Sequence, residues 1–238
     1  MNISSVQSYR PITYFNKTAQ KQNNQNVNFK GYDFNPFSTP IHFDTEKFSN
    51  DFMTKLNERK EEIYSHLDSA TIETEEKKAP ILEHLKDLFG EERTYIESSF
   101  LHKTLHPDEI TKEGFDVSKI NITEFGPGIY FASSEGELEI YHGKTLSADF
   151  KGTCADGIHL DKYNRLNEQI ENEIRNLLGI NGWSQTALLE HEVLRKFVNE
   201  YARNQITDKL HIDGASCNNK HYFVVFNPDS LSNVHLKN

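Results

Sequence analysis

Phe125-Gly126-Pro127-Gly128-Ile129-Tyr130-Phe131-Ala132 places two glycines around a proline at the entry to a short apolar, β-prone run. That composition predicts a tight turn through which the backbone approaches a ligand closely, followed by a strand. It is not a dinucleotide-binding G-x-G-x-x-G, because no helical pattern follows it, and no phosphate-binding G-x-x-x-x-G-K-[ST] occurs in the chain. For a bare Gly-Pro-Gly, an ordinary turn before a core strand is the better reading. The surrounding residues therefore decide how the stretch is read.

Upstream, Ser99-Phe100-Leu101-His102-Lys103-Thr104 reads as a short strand. From Thr45, apolar residues recur three or four apart or in multiples of that (Phe48, Phe52, Leu56, Ile63, Leu67), which predicts an amphipathic helix. A shorter helix is predicted over 80–89, entered by Pro80 and closed by Gly90. Downstream, Tyr163, Leu166, Ile170, Ile174 and Leu177 form one stripe over 160–178, and Leu189, Val193, Phe197 and Tyr201 form another over 186–205. Tyr222-Phe223-Val224-Val225-Phe226 has the β-rich, apolar character of a central strand, and Asn227-Pro228 ends it. Helices, strands, helices and strands in that order predict an α+β fold rather than a regular βαβ alternation.

The chain has 238 residues, enough for one domain with a tail or two small ones. Apolar types make up 36% of it, below the roughly 45–50% usual for globular chains, so part of the length is expected to lie outside the packed core. Residues 1–45, rich in Asn, Gln, Ser and Thr around Lys21-Gln22-Asn23-Asn24-Gln25-Asn26, offer little apolar area to offset the entropy of ordering and read as a disordered arm. Its aromatics (Tyr14, Phe15, Phe29, Tyr32, Phe34, Phe37, Phe43) point to some docking on the body or on a partner. Residues 46–92 read as a helical cap or accessory segment, and 93–238 as the main domain. With 36 acidic against 26 basic side chains the formal charge is −10, which opposes broad nucleic-acid binding. No apolar run approaches the roughly 20 residues of a spanning helix, and the N-terminus has no apolar h-region, so a soluble protein without a standard export signal is expected. Cys154 and Cys217 are too few for a disulfide framework or a four-thiolate metal site, so a reducing compartment is the default.

Several short motifs fall in one order: Leu101-His102-Lys103-Thr104, then Glu113-Gly114-Phe115, then the Gly-Pro-Gly stretch with Tyr130, then Tyr141 after ten intervening residues, then Asp213-Gly214 and the strand ending Val224-Val225-Phe226-Asn227-Pro228. This series resembles the ADP-ribosyltransferase superfamily, in the branch similar to the poly(ADP-ribose) polymerase catalytic domain and diphtheria toxin that is known by its H-Y-E triad. The resemblance covers residues 95–235. It implies a split α+β sandwich of two small antiparallel sheets with flanking helices, NAD as substrate in the cleft between the sheets, and no metal. His102 stands at the histidine that bonds a ribose hydroxyl, and Thr104 at the third position of the same motif. Lys103 stands where relatives carry a glycine whose main chain grips the nicotinamide amide, so its long side chain is expected to point out of the cleft. Gly128 belongs to the binding loop, Tyr130 is the triad tyrosine, and Tyr141 is the aromatic that sandwiches the nicotinamide ring.

Two positions depart from the pattern. Leu138 replaces the serine that relatives use for the amide, and Tyr222 stands where the triad glutamate opens its strand, within Lys220-His221-Tyr222. Three readings follow from the missing carboxylate. A mono-ADP-ribosyltransferase can use the acceptor's own carboxylate; another acid, from Glu135, Glu137 or Glu139 or from Glu190 or Glu192, can reach the site; or the fold has become a module for binding NAD or protein. The first is favoured, with a protein acceptor and with catalytic roles for His102, Tyr130 and Tyr222. The polar arm further suggests a toxin or effector, either cytoplasmic or exported by a dedicated apparatus.

Other constellations are weaker. Glu135-Gly136-Glu137 and Glu190-His191-Glu192 match, as text, the Glu-x-Glu pair of the other ADP-ribosyltransferase branch, but the first lies in the wrong loop and the second on what reads as the solvated face of a helix. His102 and His106 have helical metal-ligand spacing, yet Pro107 and the strand around Leu101 oppose a shared helical face. Nothing local marks either cysteine as activated, and Trp183 reads as a packing anchor.

Overall fold

A computed structural model describes residues 44–117, 127–180, 187–217 and 221–237. The arm assigned to 1–45 lies outside the described residues except for Asp44 and Thr45, as do Phe125, Gly126, Trp183 and Lys220.

The predicted first helix is two helices, α1 (Thr45–Glu58) and α2 (Lys60–Ser69), separated at Arg59. Asp44 caps α1 by accepting from the Lys47 amide at 2.9 Å. At Arg59 the backbone leaves the helical region (φ −110°, ψ 15°), but Leu56 and Ile63 are buried on either side, so the apolar phase carries across the break and periodicity alone does not reveal it. A hairpin of β1 (Thr71–Glu73) and β2 (Lys78–Pro80) follows, then α3 (Ile81–Lys86), shorter than the predicted 80–89. Phe52, Leu56, Ile63, Leu67, Ile81 and Leu85 enter the same hydrophobic cluster as Tyr163, Ile170, Phe197 and Tyr201, so 46–92 shares its core with the later helices α5 (Leu160–Leu178) and α6 (Ala187–Asn204). Gly179 closes α5 in the left-handed conformation (φ 67°), as helix C-termini favour.

The remaining strands are β3 (Arg93–Thr104), β4 (Ile129–Ala132), β5 (Lys144–Ala155), β6 (Gly214–Cys217), β7 (Tyr222–Val225) and β8 (Leu231–Leu236); the short helix α4 (Pro107–Glu113) follows β3. The fold is mixed α+β. Its sheet runs β3-β4-β7-β6-β5-β8, and a further β3–β5 pairing closes the first five strands into a ring. Pairing round that ring is uneven. β3 and β5 match over twelve residue pairs, and β8 adds to the other edge of β5. β4, β7 and β6 form a second antiparallel set. Only Leu101↔Ala132 joins β3 to β4, and only Cys154↔Gly214 and Ala155↔Ala215, in parallel, join β5 to β6. With β8 added outside the ring, the sheet consists of two three-stranded antiparallel sets, β3-β5-β8 and β4-β7-β6, joined at two narrow seams.

Strand alternation fills the interior. Ile129, Phe131, Ala148, Phe150, Phe223 and Val225 pack inside, with Phe100 stacked on Phe223 at 4.4 Å between centroids. The opposite face of β4, β6 and β7 presents Tyr130, Ala215 and Val224 to the helical core. Among the described residues no helix is long and apolar enough to cross a membrane.

Candidate functional site

The candidate site lies at the seam between β3 and β4. After Leu101↔Ala132 the β3–β4 ladder stops, although β3 continues against β5 to Thr104. In place of a backbone partner, the Tyr130 carbonyl takes the His102 Nδ1 at 2.8 Å. A carbonyl only accepts, so Nδ1 carries the proton and, in the neutral ring, Nε2 keeps its lone pair. Burial holds the imidazole below the usual histidine range and so favours the neutral form, against the opposing pull of the Tyr130 carbonyl. The ring is fixed edge-on against Phe115 (5.1 Å, 87°) and tilted against Phe131 (5.5 Å, 52°). Phe115 follows Gly114, whose φ of 83° ends α4, so the Glu113-Gly114-Phe115 motif orients His102.

Tyr130 and His102 do not share a face. His102 contacts Phe131, whereas alternation along β4 turns the Tyr130 ring towards the helical core, where burial and the neighbouring Cys217 and Tyr163 push its hydroxyl well above the usual tyrosine range. The two residues meet through the Tyr130 carbonyl. Tyr141 is reached by the turn Glu135–Leu138, its amide donating to the Leu138 carbonyl at 3.1 Å. Its side chain is 41% exposed. Burial, Tyr222 and Cys217 raise it above its usual range, the Tyr222 contact including a side-chain hydrogen bond. Tyr222 opens β7, packs against Leu101, Ala132 and Leu138, and donates its hydroxyl to the Glu137 carbonyl at 3.4 Å. Cys217, opposite Tyr222 in the ladder, neighbours both Tyr130 and Tyr141, and burial pushes its thiol up to about 11. Tyr130, Tyr141, Tyr222 and Cys217 therefore form one cluster.

The remaining predicted residues need correction or explanation. Lys103 does not point away; it shares the Leu101 side of β3 and donates its ammonium to the Leu138 carbonyl at 3.2 Å, tying β3 to the turn that carries Tyr141. The Thr104 hydroxyl accepts from the His106 amide at 3.0 Å and so turns the chain into α4. Gly128 is explained by packing on β7: a Cβ there would lie 2.5 Å from Val224 Cγ2 and 2.6 Å from the Val225 carbonyl. Gly143 (φ 112°) seats the Tyr141 loop on the Thr104 carbonyl in the same way.

Among the acids, Glu190 is not on a solvated face. It is 4% exposed and meets Arg175 of α5 at 3.3 Å, a guanidinium that also holds Glu171 at 2.8 Å. The helical pattern misleads here because the compensating cation lies on another helix. Glu192 is exposed on α6, Glu135 pairs with Lys237 at 2.9 Å, and Glu139 is exposed. Glu137 is the carboxylate next to Tyr222. It accepts from the Ser133 amide (3.0 Å), the Ser134 amide (3.2 Å) and the Ser133 hydroxyl (3.2 Å), and His221 Nδ1 lies 2.8 Å from Oε1. Burial raises its proton affinity, but the bonds from His221, Ser134 and Ser133 outweigh that and leave it below the usual carboxylate range.

The sequence reading missed the part played by Asp213. Its carboxylate accepts from the Thr153 amide and the Asn227 side chain, both at 2.8 Å, and its carbonyl accepts from the Phe226 amide at 2.8 Å, so Asp213-Gly214 and Asn227-Pro228 fasten β5, β6 and β7 together. Among the described residues no group of three or more His, Cys, Asp or Glu side chains is placed to hold a metal ion. A polar cavity of about 770 Å³ lies between α5 and α6, lined by Lys162, Arg165, His191 and Arg195 among others and by none of the clustered tyrosines.

Comparison with protein-family models, with curated proteins and with solved structures found no match to the chain.

Proposed function

We propose that the chain is an NAD-dependent mono-ADP-ribosyltransferase acting on a protein acceptor, with its two three-stranded halves forming the split sandwich of that superfamily. The observation that carries the reading is the cluster of Tyr141, Tyr222, Cys217 and Tyr130 beside the seam where β3 leaves β4 at His102. Tyr141, the exposed ring of the group, offers the nicotinamide a stacking face worth on the order of 1 kcal/mol beyond burial, while the Tyr130 ring, turned into the helical core, packs behind it. Nε2 of His102 accepts a ribose hydroxyl. The Tyr222 hydroxyl stands near the ribose in place of the triad carboxylate, which suits transfer of one ADP-ribose unit and not chain elongation. As the bond from the anomeric carbon to nicotinamide breaks, its electron pair returns to the pyridinium nitrogen, and the acceptor nucleophile forms the new bond to the same carbon.

The test is NAD consumption with nicotinamide release by wild type, Tyr141→Ala and Tyr130→Phe. Release by wild type that Tyr141→Ala abolishes supports the reading; equal background in all three overturns it. A second reading, a module that binds NAD or protein without turnover, is favoured by the Lys103 ammonium bound across the seam to Leu138 and by the missing triad acid. Under that reading NAD binds wild type while nicotinamide release stays at background.

A further inference from the structure

We infer that His221, oriented by Glu137, is the general base that takes the proton of the acceptor, so that the acceptor group is a hydroxyl rather than a carboxylate. The inference rests on the transferase reading above and adds the substrate class to it.

Glu137 is placed between two functions. Its backbone carbonyl receives the Tyr222 hydroxyl, which ties it to the tyrosine cluster, and its carboxylate holds His221 Nδ1 at 2.8 Å. Two amides and a serine hydroxyl anchor the same carboxylate, so it is a fixed acceptor and not a mobile acid. A carboxylate on Nδ1 selects the tautomer with that nitrogen protonated, leaving the Nε2 lone pair outward. This is the arrangement by which an acidic side chain orients an imidazole base. The imidazole is 65% exposed, open to a macromolecular acceptor, while the carboxylate behind it is 17% exposed. His221 immediately precedes Tyr222, and its carbonyl accepts from the Ser133 amide at 3.3 Å, so the pair is pinned to the end of β7 beside the proposed ribose position.

The chemistry selects the acceptor. A carboxylate is already ionised at neutral pH and needs no base, whereas an alcohol must lose a proton as it attacks. The acceptor oxygen bonds to the anomeric carbon, its proton passes to His221 Nε2, nicotinamide leaves with the electron pair of the broken carbon–nitrogen bond, and the imidazolium later returns its proton to water. Around His221 the described titratable and charged groups are Glu137 of the turn after β4, Tyr222 of β7 and, through the Leu138 carbonyl of the same turn, Lys103 of β3.

The experiment follows nicotinamide release and labelled ADP-ribose transfer to lysate proteins by wild type, His221→Gln, Glu137→Gln and Tyr141→Ala, with NAD affinity measured in parallel. His221→Gln is expected to lower transfer about 100-fold, as loss of a general base does, with unchanged NAD affinity. The wild-type linkage resists neutral hydroxylamine, which cleaves esters of carboxylates. Glu137→Gln, which keeps the turn's shape but weakens the hold on Nδ1, gives an intermediate rate. Wild-type transfer with a hydroxylamine-labile product, or full activity in His221→Gln while Tyr141→Ala is dead, overturns the inference and leaves the transferase reading standing. Absence of nicotinamide release from wild type overturns both.

Discussion

The two Glu-x-Glu stretches are alike as text, and each lies at a carboxylate–imidazole pair. In Glu190-His191-Glu192 the histidine faces Glu171 at 2.6 Å; in Glu135-Gly136-Glu137 the second glutamate faces His221 at 2.8 Å. Their surroundings separate them. The first pair belongs to a network between α5 and α6 in which the buried Glu171 and Glu190 share Arg175. The second sits at the end of β7 beside Tyr222 and Tyr141, with its imidazole open to solvent. A carboxylate that shares a buried guanidinium is committed to holding two helices together; one anchored by backbone amides behind an exposed imidazole can orient that ring for chemistry. Burial and neighbours distinguish the pairs, and spacing does not.

The largest expected effect tests the structural half of that comparison. Arg175→Met removes the guanidinium that Glu171 and Glu190 share and withdraws that partner from two buried carboxylates between α5 and α6. Breaking such a buried arrangement costs about 3–5 kcal/mol. Urea unfolding should show that loss, while nicotinamide release per folded molecule stays unchanged. A change below about 1 kcal/mol, in the range of an exposed ion pair, would place the network with the surface pairs and remove the distinction.

What could be read from sequence divides along the same line. Strong local periodicity placed α5 and α6 nearly to the residue, because their apolar stripes are buried on one side. Of the tyrosines singled out by the resemblance, Tyr141 and Tyr222 share a side-chain hydrogen bond, whereas the Tyr130 ring turns into the helical core. β3 was read from its apolar end only: Arg93 to Ser99 are largely exposed, with Ile96 alone packing inward, so their order comes mainly from pairing with β5, far along the chain. β5 itself alternates Leu146, Ala148 and Phe150 inward, a signal weakened by the small residues Ala148 and Gly152. The burial of Glu190 and the pairing of Glu137 with His221, 84 residues apart, are long-range facts that no local pattern encodes.

A third tied histidine sharpens the comparison at intermediate scale. His102 bonds a carbonyl, not a carboxylate, so nothing anionic offsets its burial, and its proton affinity is depressed in the folded state. The unfolded chain, with an ordinary histidine value near 6.5, then binds the proton more readily than the folded one. By linkage, stability should be undiminished above about pH 6.5 and should fall as pH drops below it. His102→Gln is expected to flatten this part of the stability–pH curve, measured by urea unfolding between pH 5 and 8 in both proteins. An equal slope in the two would mean that the imidazole is no harder to protonate when folded.

The smallest stability effect belongs to the pair with the largest proposed functional one. His221→Gln removes a contact whose imidazole is 65% exposed, and the Ser133 and Ser134 amides continue to hold the Glu137 carboxylate. Exposed ion pairs contribute about 0–1 kcal/mol, so the unfolding midpoint should move little. The Tyr222 hydroxyl should keep its bond to the Glu137 carbonyl, since neither atom belongs to the removed ring. Unfolding curves of His221→Gln and wild type that overlay, together with a collapse of transfer, would separate the two Glu-x-Glu sites by what each does. A large loss of stability would instead make the surface pair a second structural tie, equivalent in role to the network between α5 and α6.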